Sequence, residues 1–174
     1  MKNFIPTVFW LTGLSGAGKT TLGTLLAKKL RDQGLPVIFL DGDTLREVYN
    51  NRFGHDRLAR LNASLQYASL CKMLVEQDIN VVCATISLFH EIHVWNRRNI
   101  GGYIEIFISS DLAAIKKIDV KKIYNQSSKN GLKHVMGMDI KPEFPQKPDF
   151  IIENSFNKKV NSTIKNIFDK MALS

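Results

Sequence analysis

The chain has 174 residues, which suits one domain built around one core. Apolar residues make up 44%, ordinary for a soluble globular protein, and no apolar run reaches the ~18 residues that would span a membrane. The net charge is +8, but the lysines are scattered and no basic stripe interleaved with aromatics appears. The charge therefore reads as a solvated surface with a site for anionic nucleotides, not as a nucleic-acid-binding face.

The first predicted strand, Thr7–Thr12, is β-branched and aromatic, as a buried strand should be. It begins so close to Met1 that no signal peptide is expected, and a cytoplasmic protein is. Gly13-Leu14-Ser15-Gly16-Ala17-Gly18-Lys19-Thr20 follows, a complete G-x-x-x-x-G-K-[ST] loop, with Thr21 next. Its glycines let the backbone curl round an oligophosphate, so that N–H groups and a helix N-terminus face the anion. Lys19 is expected to reach the β- and γ-phosphates, and the Thr20 hydroxyl to hold Mg²⁺. Leu22, Leu25, Leu26 and Leu30 give the next segment helix spacing, and Gly34 is its expected stop.

A second strand, Val37–Leu40, leads into Asp41-Gly42-Asp43-Thr44-Leu45-Arg46. Alone this is a polar turn. At the carboxyl end of a parallel strand beside a phosphate loop, its two carboxylates can divide labour. One can accept a proton from an attacking hydroxyl and the other can order Mg²⁺ or support the loop. Asp43 is assigned the first role and Asp41 the second, while Arg46 can fork onto a phosphate. A helix is predicted from about Arg60 to Glu76, with Leu61, Leu65, Ala68 and Val75 on one face.

Further strands are predicted at Val81–Ile86, Tyr103–Ile108 and Phe150–Ile152. Cys71 and Cys83 lack metal or redox spacing and are expected to be buried free thiols. His90 and His93 have no obvious third metal ligand and read as surface or lid residues. The polar, lysine-rich stretch from Lys116 suits a lid over about 116–137. Pro142, Pro145 and Pro148 read as a rigid loop before the last strand, and Val160, Ile164, Ile167, Phe168 and Met171 as a final helix. Alternating strands and helices predict an α/β P-loop kinase fold over 1–174, a five-stranded parallel sheet with helices on both faces.

With these motifs in order, the chain resembles the adenylylsulfate kinases. That family reads G-L-S-G-[SA]-G-K-[ST]-T, then D-G-D-N-x-R, a G-F, a D-R-x-E-N, I-S-P-[YF], R-D-x-K-G-[LI]-Y and F-T-G-[IM]. Here the matches are Gly13–Thr21, Asp41-Gly42-Asp43 with Arg46, Gly54, Arg60, Ile86-Ser87, Asp119-Val120-Lys121 with Ile123-Tyr124, and Gly137. The resemblance implies transfer of the ATP γ-phosphate, with Mg²⁺, to the ribose 3′-hydroxyl of a nucleotide. It implies substrate contacts from Asp41, Arg46, His55, Arg60, Ile86, Ser87, Lys121 and Lys133, and it raises the expectation of a homodimer. Ser87 is read as a contact near the substrate, because direct transfer needs no covalent intermediate. A non-catalytic nucleotide-binding protein is the rival, opposed by the intact Lys19, Thr20 and Asp43.

The departures carry as much information. His55 and Val135 stand where the family has the two phenylalanines that clamp adenine, and Ala63 stands where it has asparagine. Ile118 and Lys122 replace the arginine and glycine of R-D-x-K-G. Stacking on a base is worth about 1–3 kcal/mol per ring, so losing both rings rebuilds the base pocket. Arg46, Arg60 and Lys121 remain on the phosphate and ribose side. This pattern resembles the cytidine diphosphoramidate kinase branch, which serves phosphoramidate decoration of bacterial capsules. The alternative is an ordinary adenylylsulfate kinase of sulfate assimilation.

Overall fold

The computed structural model of the chain describes residues 5–118, 123–124, 127, 131, 133–153 and 160–172. Five strands form one parallel sheet: β1 (Val8–Thr12), β2 (Val37–Asp41), β3 (Asn80–Ala84), β4 (Tyr103–Ser109) and β5 (Phe150–Glu153). Their order is β2-β3-β1-β4-β5. β1 pairs with β3 from Val8↔Val81 and with β4 from Val8↔Tyr103. Successive side chains of a strand point to opposite faces. Val8, Phe9, Trp10, Leu11 and Thr12 are all fully buried, so both faces of the central strand are covered.

The connections are helical: α1 (Lys19–Asp32), α2 (Gly42–Val48), α3 (Arg57–Val75), α4 (His90–Asn99), α5 (Leu112–Ile118) and α6 (Val160–Ala172). α1 packs against β2 and β3, and α3 packs against β3 and α4. α1 ends as its sequence predicts. Gln33 caps it, and Gly34 then takes the left-handed conformation at φ 78°, which costs glycine little. The segment after β2 is a helix, not the polar turn it would be on its own. Asp41 caps it, its carboxylate accepting from the Asp43 N–H at 2.9 Å. The buried face of α3 is also rotated from the expected stripe. Leu61, Ser64, Tyr67, Ala68 and Cys71 are buried, while Leu65 and Val75 are only half-buried. Cys71 and Cys83 are free and buried. The lid expected over 116–137 lies partly outside the described residues, and Lys121 is one of those outside.

Far from the carboxyl ends of the strands, a buried carboxylate ties three elements together. Glu105 on β4 is almost fully buried, and burial pushes its pKa up. It accepts from the Tyr103 hydroxyl at 3.0 Å and from Arg97 of α4 at 3.2 Å. Arg97 also donates to Asp149 at 2.9 Å and to the Lys147 carbonyl at 2.8 Å, pinning the proline-rich approach to β5. Arg97 is itself exposed and Glu105 keeps the Tyr103 hydroxyl, so losing this arginine costs less than the about 3–5 kcal/mol of a fully buried pair. Arg97→Leu should lower unfolding free energy at pH 8 by about 1–2 kcal/mol. A carboxyl whose folded pKa is raised stabilises less as pH rises, so the variant should regain stability at pH 5. Urea unfolding at the two pH values checks both.

Candidate active site

Because the strands are parallel and in register, Leu11 and Asp41 both align with Ala84. The loops after β1, β2 and β3 therefore open side by side, where open α/β sheets bind ligands. The first is the phosphate loop. Gly16 and Gly18 are left-handed at φ 78° and 90°, and Gly18 caps α1. A Cβ at Gly13 would lie 2.6 Å from the Ile108 carbonyl oxygen, so the loop can leave β1 this close to β4 only with glycine there. Lys19 is buried and donates to the Leu14 carbonyl at 2.7 Å.

The second loop is bound to the first. The Thr20 hydroxyl donates to one Asp41 oxygen at 2.7 Å, while the other Asp41 oxygen caps α2. A hydroxyl and a carboxylate in contact beside a phosphate loop form the hard oxygen set that suits Mg²⁺ shared with nucleotide phosphates. Asp43 and Arg46 follow on α2. The Arg46 guanidinium donates to the Phe53 and Gly54 carbonyls, and Arg60 of α3 donates to the His55 and His134 carbonyls. Burial and then the charge of Arg46 lower the Arg60 pKa, so the two guanidiniums concentrate positive potential on one wall. Burial, then Arg46 and Arg60, lower the His55 pKa and favour its neutral form.

These parts enclose one cleft of about 390 Å³. It is lined by Ser15, Gly16, Gly18, Lys19, Thr20 and Thr21, by Asp41, Asp43 and Arg46, and by His55, Arg60, Ile86 and Ser87. Gly13, Leu14 and Ala17 of the loop do not line the cleft, and Leu14 and Ala17 are in the core. Lys133 is exposed and does not line the cleft. Ala63 and Val135, two of the departures, do line it. So do Ser64, Tyr67, Thr85 and Phe89, which the sequence reading missed. Ser64 and Tyr67 continue the α3 face that carries Arg60 and Ala63, so their spacing was the available signal.

His93 corrects the surface or lid reading. It is buried, and its Nε2 donates to the Ser87 carbonyl at 3.2 Å, holding Ser87 at φ 26°. Burial lowers its pKa to about 4. The unfolded chain, with an ordinary histidine, binds more protons between about pH 6.5 and 4, so stability is lost as pH falls through that window. His93→Gln should flatten the fall in unfolding free energy between pH 7 and 4 by about 3 kcal/mol, read by urea unfolding across that range.

The phosphate loop, a capped Asp-Gly-Asp helix and an arginine wall at the carboxyl edge of a 2-3-1-4-5 sheet define a P-loop kinase. A family model, adenylylsulphate kinase, matches residues 5–153, and the chain belongs to that family. The cytidine diphosphoramidate kinase of Campylobacter jejuni is 37% identical over 173 residues, covering 99% of this chain and 100% of that one. An adenylyl-sulfate kinase of Synechococcus is 34% identical over 146 residues, covering 84% and 83%. The Mycobacterium tuberculosis APS kinase, solved with AMPPNP and APS, shares the fold at a TM-score of 0.87 and 24% identity, covering 97% and 98%. The chain is thus a kinase that uses ATP with Mg²⁺. Among the described residues, no helix is long and apolar enough to cross a membrane.

Proposed function

We propose that the chain transfers the γ-phosphate of ATP to the ribose 3′-hydroxyl of cytidine diphosphoramidate, in the modification of capsular polysaccharide. The observation that carries the acceptor assignment is the rebuilt wall opposite the phosphate loop. His55, Ala63 and Val135 line the cleft where adenylylsulfate kinases place two aromatic rings and an asparagine, while Arg46 and Arg60 persist. The near-complete overlap with the Campylobacter relative supports the same reading.

In this reading Lys19 stabilises charge on the β- and γ-phosphates, and Arg46 and Arg60 hold the acceptor's phosphate chain. Thr20 and Asp41 would hold Mg²⁺, which would neutralise charge on the phosphate oxygens. Asp43 takes the proton from the 3′-hydroxyl as that oxygen bonds to the γ-phosphorus. The bond from phosphorus to the β,γ-bridging oxygen breaks, and ADP leaves. Asp43→Asn keeps the shape and removes the proton acceptor. Its kcat should fall by about 10²–10⁴, a general-base effect, with a smaller change in KM. A loss of only a few-fold would exclude Asp43 as base.

The acceptor is tested by kcat/KM for cytidine diphosphoramidate and adenylylsulfate under the same ATP and Mg²⁺. Losing two stacking contacts should disfavour adenylylsulfate by at least about tenfold. The product should carry a new 3′-phosphate by phosphorus NMR. Preference for adenylylsulfate would make the chain an ordinary adenylylsulfate kinase.

A further inference from the structure

Three hydroxyls at the floor of the cleft form a hydrogen-bonded chain whose direction is fixed by counting protons. Ser64 Oγ lies 2.8 Å from the Arg60 carbonyl, which can only accept, so Ser64 donates there. Ser64 has then spent its proton, so in the 2.7 Å contact between Ser64 and Ser87 the donor is Ser87. By the same count, in the 2.9 Å contact between Thr85 and Ser87 the donor is Thr85. The chain runs Thr85 to Ser87 to Ser64 to a backbone carbonyl, and every hydroxyl proton is consumed within the protein. What remains is lone pairs: both on Thr85, and one each on Ser87 and Ser64.

Thr85, Ser87 and Ser64 are all among the residues that line the cleft. Gly42, which also lines the cleft, packs closely on Thr85: a Cβ there would come within 3.4 Å of the Thr85 hydroxyl. The His93 bond to the Ser87 carbonyl fixes the middle of the chain. The chain adjoins the arginine wall, since Ser64 sits one helical turn from Arg60. It therefore lies where an acceptor's phosphate chain would end. An anion whose terminal atoms are all acceptor oxygens would set lone pairs against lone pairs there. A terminal N–H would be matched. The Tyr67 hydroxyl, on a residue of the same lining, is buried and has no hydrogen-bond partner among the described residues.

We propose that Thr85, Ser87 and Ser64 are the specificity element that recognises an amide nitrogen on the acceptor's terminal phosphorus and rejects all-oxygen anions such as sulfate or phosphate. This rests on the functional reading above. The exocyclic amine of the base offers the same donor chemistry, and the position beside Arg60 assigns the contact to the amide.

The test measures kcat/KM for cytidine diphosphoramidate, CDP and uridine diphosphoramidate in the wild type and in Thr85→Val, Thr85→Ser and Ser64→Ala, each checked for folding by thermal melting. The wild type should prefer the diphosphoramidate over CDP by about tenfold or more. Thr85→Val should reduce that preference at least about fivefold, through KM, while Thr85→Ser restores it. Ser64→Ala should also lower it, and this variant carries the test should Thr85→Val fail to fold. An unchanged preference in folded Thr85→Val and Ser64→Ala, with normal wild-type turnover, overturns this inference alone. Loss of a cytidine-over-uridine preference with the amide preference intact also overturns it, because the donor read would then be the base. Failure of the wild type to phosphorylate either diphosphoramidate overturns the functional reading and this inference with it.

Discussion

The Thr20 hydroxyl and the Asp41 carboxylate meet at 2.7 Å, and Asp41 simultaneously caps α2 with its other oxygen. One carboxylate thus couples the start of α1, the end of β2 and the start of α2. The phosphate loop cannot shift without moving Asp41, and Asp41 cannot shift without uncapping the helix that carries Asp43 and Arg46. Parallel register brings these loops to one edge, and this shared carboxylate fixes their mutual spacing. Phosphoryl transfer is catalysed largely by positioning and electrostatics, so such a linkage is where catalytic geometry is held.

On the acceptor side the positioning elements are mainly backbone carbonyls held by arginines. Arg46 grips the 53–54 turn, and Arg60 links His55 to the strap at His134. The strap is closed on itself by Asp139, whose carboxylate accepts from the His134 and Val135 N–H groups. It touches the phosphate loop as well. A Cβ on left-handed Gly137 would lie 3.1 Å from Leu14, and the Tyr124 hydroxyl donates to the Ser15 carbonyl at 3.2 Å. The phosphate loop and the arginine wall are therefore both in contact with residues 134–139, and Tyr124 adds a further tie to the loop.

Much of this was legible in the chain because the signals are local. Val8–Thr12 reads as a buried strand without reference to partners, and the glycine-lysine-threonine pattern names its ligand chemistry by itself. The helix over Gly42–Val48 was not legible as such, because glycine at its first position reads as a turn and only the Asp41 cap reveals the helix. Ser64, Tyr67 and Thr85 were missed for a different reason. Ser64 and Tyr67 carry only the weak signal of sharing a helix face with Arg60 and Ala63, and Thr85 becomes informative only when the end of β3 is laid against Gly42. His93 looked like a surface residue since polarity was the only guide. Its carbonyl partner at Ser87 exists only in three dimensions.

The position of β1 has a consequence for how the molecule is made. The strand synthesised first is the centre of the sheet, and its partners begin at Val81 and Tyr103. A ribosome therefore releases Val-Phe-Trp-Leu-Thr, apolar and rich in β-forming residues, long before any edge exists to receive it. The entropy of closing those long loops must be met before the pairing rewards it, which makes such topologies slow to fold and prone to stray association. The phosphate loop immediately after that strand breaks the run with three glycines and a lysine. The same residues that cradle phosphate in the folded state thereby serve as a gatekeeper for the nascent chain.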